Sequence, residues 1–216
     1  ANSIAAYLLE AAREDLVFDH NGFTIGGTDR SLSLFDIAAA AVSGDLPEDL
    51  RGPLRAIAEI STPLPTYPNG CHITELEIDS ETGVVEILRH TGVDDVGRVI
   101  NPLIVDGQTH GGIVQGVGQA LMEHCAYDAD SAQVLAGSFM DYAMPRALDI
   151  PSFDLANNEI PAPTSMLGVK GGGEGGTTAA PPAVINAIVD ALSEFGVRHM
   201  EMPATPERIW RAIHSN

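Results

Sequence analysis

Apolar residues at 4, 5, 8, 9 and 12 recur at helical spacing and predict a short helix over Ile4 to Ala12. Leu16-Val17-Phe18 and Phe23-Thr24-Ile25 are short β-rich runs on either side of Asn21-Gly22, a pair suited to a hairpin turn. Ser33 opens an S-x-x-D pattern completed by Asp36, which predicts a capped helix from about Leu34 to Val42 with its stop at Gly44. Residues 44–54 read as a loop, and Ala56 to Ile60 as the start of a strand-rich stretch. Cys71 to Ile78 alternates clearly: Cys71, Ile73, Glu75 and Glu77 share one face, and His72, Thr74, Leu76 and Ile78 the other. Asp79 to Gly83 turns the chain, and Val84 to Thr91 returns as the partner strand.

A helix is predicted over Val105 to Glu123 despite Gly107, Gly111, Gly112, Gly116 and Gly118. Each interior glycine costs about 1 kcal/mol relative to alanine, so this helix needs other backbone or a cofactor pressed against it. Gln108, Gln115 and Gln119 share one face of it, either satisfied by neighbouring backbone or turned toward a ligand. His124 to Tyr127 and Val134 to Ala136 suggest another hairpin, and residues 149–165 look irregular and proline-rich. A helix over Pro181 to Phe195 follows, with Gly196 just past its end, then a last helical turn from Pro206 to Ile213. The pattern predicts an α+β (mixed α/β) fold with antiparallel hairpins and packed helices.

The most concentrated chemistry lies just before the helix predicted from Pro181. Gly168-Val169-Lys170-Gly171-Gly172-Gly173-Glu174-Gly175-Gly176 sets one carboxylate in a run of glycines, with a lysine four residues before it. Exposed N–H groups in such a loop can form an anion-binding nest, and the following helix adds positive partial charge. The stretch reads as a cradle presenting Glu174 to something bound. Lys170 either pairs with Glu174 or holds an anionic cofactor, and spacing leaves both open.

Composition narrows the classes. A net charge of −19 would repel a phosphate polymer, so nucleic acid is not an expected partner. Cys71 and Cys125 are too few for a disulfide framework or an iron–sulfur cluster, which suits a reducing cytoplasm. No apolar run has the length of a membrane span. The start lacks both an initiator Met and a basic signal region, and the expectation is a piece of a longer chain. Lys170 precedes the glycines rather than following them, unlike a phosphate P-loop, and Gly116-x-Gly118 lacks a third glycine for a dinucleotide fingerprint. The seven histidines show no HExxH and no close pair, so no metal ligand is expected among them.

Taken together, VDDVGRVINPLIVDGQTHGGIVQGVGQALMEH, GSFMDYAMPRALDIPSF, GVKGGGEGGTTAAPPAVINAIVDAL and the ending GVRHMEMPATPERIWRAI resemble the large subunits of the molybdenum hydroxylases. That family comprises the xanthine oxidase, aldehyde oxidase and aerobic carbon monoxide dehydrogenase group. The resemblance implies a molybdenum–molybdopterin cofactor, with Glu174 as catalytic general base and Gln115, Lys170, Gly172 and Gly173 as cofactor-binding residues. It implies small-molecule oxidation, with electrons leaving to FAD and 2Fe-2S groups on flavin and iron–sulfur partner subunits. It places residues 1–216 at the C-terminal end of a molybdopterin-binding domain that is incomplete without upstream segments of the large subunit. The isolated chain is then expected to be inactive, with self-association as a further possibility. The competing expectation is a non-catalytic assembly or binding module on the same fold, in which the glycines serve packing only.

Overall fold

The computed structural model describes residues 1–43, 46–61 and 64–215. It divides into two compact units, Ala1–Ser61 and Thr62–Asn216.

In the first unit, α1 (Asn2–Leu9) ends three residues earlier than its apolar spacing predicts, because Glu10 turns into the left-handed region at φ 50°. Strands β1 (Leu16–Asp19), β2 (Gly22–Ile25) and β3 (Ser31–Ser33) form an antiparallel sheet in that order. The β1–β2 turn is His20-Asn21, both at positive φ, one residue earlier than Asn21-Gly22. Gly22 instead opens β2, where a Cβ would press on the Leu32 carbonyl oxygen. The capping pattern forms as expected: the Ser33 Oγ accepts from the Asp36 N–H at 3.1 Å, and the Asp36 carboxylate accepts from the Ser33 N–H at 3.2 Å. It starts α2 (Leu34–Ser43); the expected stop at Gly44 lies outside the described residues. Ile4, Ala5, Phe23, Ile37, Ala41 and Leu46 form this unit's core. Residues 56–60 form no strand. Ile57 and Ile60 are exposed, and no described strand lies alongside to take their backbone hydrogen bonds.

The second unit is built on a long hairpin, β4 (Asn69–Ile78) and β5 (Val85–Asp95), with a bulge at Glu75/Leu76. The His72, Thr74, Leu76 and Ile78 face points inward, as the alternation predicts. The stretch expected to be irregular contains β6 (Phe153–Asn157), parallel to β5 from His90↔Phe153 to Asp94↔Asn157. A five-residue strand whose prolines fall just outside it leaves little trace in a window of irregular composition. The expected hairpin around residues 124–136 reduces to a single bridge, Tyr127↔Val134.

Helix α3 (Pro102–Leu121) is capped by Asn101, whose Oδ1 accepts from the Ile104 N–H at 3.3 Å, with Pro102 in the first turn. It packs along α4 (Gly175–Ala191). The glycines make that approach possible: a Cβ at Gly112 would meet Thr177 N at 2.9 Å, and one at Gly116 would meet Ala180 Cβ and Pro181 Cδ at 2.8 Å. Between the helices Ile113, Val117, Val184 and Ile188 are fully buried. Burying each contributes roughly 1.5–3 kcal/mol, which together exceeds the ~1 kcal/mol cost of each glycine.

Helix α4 begins six residues before the predicted Pro181, so Pro181 and Pro182 lie in its interior rather than its first turn. Packing against α3 outweighs the local preference of proline for a helix start. Gly196 closes the end at φ 79°, after a short 3-10 turn. Helix α5 (Pro206–His214) is capped by Thr205.

Candidate functional site

The end of β5 carries two consecutive aspartates, and a strand sends consecutive side chains to opposite faces. Asp94 and Asp95 are both buried, and each meets one end of the glycine cradle.

Asp95 holds the entry. One oxygen accepts from the Gly97 N–H at 2.8 Å and the Ile160 N–H at 3.2 Å; the other accepts from Lys170 Nζ at 2.5 Å. The ion pair is enclosed, with 12% of the lysine and 9% of the aspartate side chain exposed. The Lys170 hydrogen bond above all holds the Asp95 carboxyl below the usual carboxylate range; burial opposes this, and the two backbone N–H groups add to it. Backbone contacts fasten the same segment: Lys170 N–H donates to the Val96 carbonyl at 2.8 Å, and Arg98 N–H to the Gly168 carbonyl at 3.0 Å. Both Gly97 (φ 68°) and Gly168 (φ 71°) occupy the left-handed region at this crossing, where a Cβ on Gly97 would run into the Gly168 carbonyl oxygen. Lys170 therefore pairs with Asp95, a partner its spacing does not offer, and not with Glu174.

Asp94 lies under the exit, its Oδ1 3.8 Å from where a Gly175 Cβ would stand. It ends a buried polar chain across the hairpin. Thr74 Oγ and His90 Nδ1 are 2.9 Å apart, His90 Nε2 and His72 Nδ1 3.0 Å, and His72 Nε2 and Asp94 Oδ1 3.2 Å. With both rings neutral, the Asp94 carboxylate accepts from His72 Nε2–H, His72 Nδ1 from His90 Nε2–H, and His90 Nδ1 from the Thr74 hydroxyl. Burial first, then the neighbouring His72, pushes the His90 pKa down to about 4, against the opposing pull of Asp94. No sequence motif marks this histidine pair. The two are 18 residues apart in sequence, and only the register Thr74↔His90 with His72↔Gly92 brings the rings together. Among the described residues no group of three or more His, Cys, Asp or Glu could hold a metal ion.

Between these anchors Glu174 is exposed at the cap position of α4, and its carboxylate bonds to no described residue. The N–H groups of Gly171, Gly172, Gly173 and Glu174 likewise donate to no described residue. Gly172 rests on Val96, 3.0 Å from its Cγ1 to a Cβ position, and the Cβ position of Gly173 lies 3.6 Å from Gln108 Oε1. The Thr177 hydroxyl lies 3.2 Å from the Gly112 carbonyl oxygen and 3.3 Å from Gln115 Oε1, which draws the Gln115 amide toward the start of α4. Gln119, predicted to share that face, is exposed and bonds to no described residue of the cradle. The arrangement can present one free carboxylate beside several unpaired N–H donors at a helix start, a surface for an oxygen-rich anionic ligand. Sequence reasoning missed Asp94, Asp95, His72 and His90; the signal it passed over was that Lys170 is the chain's single lysine.

The chain's relationships agree with this reading of the fold. Residues 1–151 match the family model of the molybdopterin cofactor-binding domain. The nicotine 6-hydroxylase large subunit of Paenarthrobacter nicotinovorans is 40% identical over 214 residues, 97% of this chain and 26% of that one. The carbon monoxide dehydrogenase large chain of Hydrogenophaga pseudoflava is 33% identical over 214 residues, 99% of this chain and 26% of its own. Quinoline 2-oxidoreductase from Pseudomonas putida 86 superposes with a TM-score of 0.84 at 36% identity, over 100% of this chain and 28% of that structure. The chain belongs to the molybdopterin cofactor-binding domain family and corresponds to part of a molybdenum hydroxylase large subunit. It spans about a quarter of the length of these relatives.

Proposed function

We propose that this chain supplies the general base and one wall of the cofactor site in a molybdenum-dependent hydroxylase or dehydrogenase. The observation that carries the reading is the placement of Glu174: an exposed, unpaired carboxylate on a loop anchored at both ends, beside N–H groups without partners. The donor set fits a molybdopterin cofactor, whose phosphate and other oxygens suit the Gly172 and Gly173 N–H groups, the Gln115 amide and the protons that Lys170 does not give to Asp95. When bound, the cofactor supplies the redox chemistry for oxidising an electrophilic carbon of a small molecule. Glu174 takes the proton released in that reaction; the cradle keeps it oriented and leaves it free of any internal partner.

The rest of the site belongs to the remainder of the large subunit, in keeping with the quarter of the relatives' length that this chain spans. Ile100, Leu103, Ile104, Met166 and Leu167 are exposed apolar side chains of the second unit and suit such a covering. FAD and 2Fe-2S groups lie on separate subunits in this reading, and the assembly works in the cytoplasm. The test is to purify the complete assembly and analyse it for molybdenum and pterin, beside a Gly173→Val variant. The reading expects both in stoichiometric amount and a loss of both in the variant. An assembly that contains neither would favour a non-catalytic module.

A further inference from the structure

We infer that Asp95 is a positioning residue for Glu174 and that it acts through Lys170. The inference rests on Glu174 being the base proposed above. Three independent strands of the chain converge on the Asp95 carboxylate: its own β5 continuation through the Gly97 N–H, the segment after β6 through the Ile160 N–H, and the cradle through Lys170 Nζ. Lys170 is four residues before Glu174, and between them lie only glycines, which have no side chains to hold the loop. The loop is therefore fixed at Lys170 and at the start of α4, where Gly176 is wedged so closely against α3 that a Cβ would meet the Thr109 carbonyl oxygen at 2.6 Å.

The residue types fit this task. Of the chain's basic residues Lys170 alone is lysine, and it is enclosed while Glu174 is exposed. A lysine offers a compact charge with three donors, so it can bond Asp95 and still keep protons for a bound anion, which the planar guanidinium of arginine does less readily in a small space. If Asp95 loses its charge, the ammonium is released. The nearest acidic residue along the chain is then Glu174, and the positioned base gains a partner it lacks in the native loop.

The experiment is a two-residue cycle in the complete, cofactor-loaded assembly: Asp95→Asn, Lys170→Met and both together. Turnover, molybdenum content, hydrogen exchange of residues 168–176 and acylation of the Lys170 amine are each measured at the peptide or enzyme level. Asp95→Asn is expected to lower kcat at least ten-fold with KM within two-fold of the parent and molybdenum retained. Its Lys170 amine is expected to acylate at least ten-fold faster, and residues 168–173 to exchange faster. In the Lys170→Met background the same Asp95→Asn change is expected to move kcat by less than two-fold. Where Asp95→Asn fails to assemble, Asp95→Ser, which also removes the charge, takes its place in both backgrounds with the same expectations. Equal losses from Asp95→Asn in both backgrounds would overturn the inference, as would unchanged Lys170 reactivity with full turnover. The acylation and exchange readouts report the anchor whether or not Glu174 is the base, whereas a fully active Glu174→Gln variant would remove the base reading and leave them standing.

Discussion

His90 is fully buried between His72 and Phe153, and its environment favours the neutral ring. Its pKa falls from 6.5 to about 4, so the unfolded chain binds one more proton than the folded one between those values. The contribution to stability is complete above pH 6.5 and is lost as pH falls toward 4, and the drop it predicts is roughly 3 kcal/mol. Denaturant midpoints measured from pH 7 to pH 4.5 should fall accordingly, and a His90→Gln variant should lose the part of that slope lying between pH 6.5 and 5. At this scale the sequence was half legible. Glu174 stood out because glycines surround it, whereas Asp95 and the histidine pair are ordinary residues until strand register and a chain crossing 75 residues long place them.

At the scale of elements, the two glycine-rich segments turn out to serve each other. Gly112 and Gly116 of α3 admit Gly176, Thr177, Ala180 and Pro181 of α4, so the glycines that weaken each helix alone let the pair close up. Gly116→Val should therefore lower stability by about 1–3 kcal/mol through overpacking. Gly111 has nothing within 4 Å of its Cβ position, so Gly111→Ala should instead raise it by about 0.5–1 kcal/mol. Thermal unfolding of the two variants beside the parent checks both signs. The hairpin β4–β5 was legible because its inward face alternates strictly, and the start of α2 because its cap is local. The early start of α4 was not, because Pro181 and Pro182 mark a helix start by local preference while packing against α3 sets the real one. The failed strand at 56–60 has the converse cause: suitable residues with no partner strand among the described residues.

For the whole molecule, membership of the molybdopterin cofactor-binding family agrees with the resemblance carried by the glycine-rich segments, and the α+β architecture agrees with the periodicities. The matched family region ends at residue 151, ahead of the cradle, while the relatives align over nearly all of this chain. No helix among the described residues is long and apolar enough to cross a membrane. The central claim is that Glu174 takes a proton during turnover in a site this chain only partly builds. Its most direct test is the rate at which substrate reduces the molybdenum centre in a single turnover of the complete enzyme, compared between the parent and Glu174→Gln at equal molybdenum content. Loss of a general base predicts a fall of about 10²–10⁴-fold with substrate affinity little changed. A Glu174→Gln enzyme that holds its molybdenum and is reduced at the parent's rate would contradict the account.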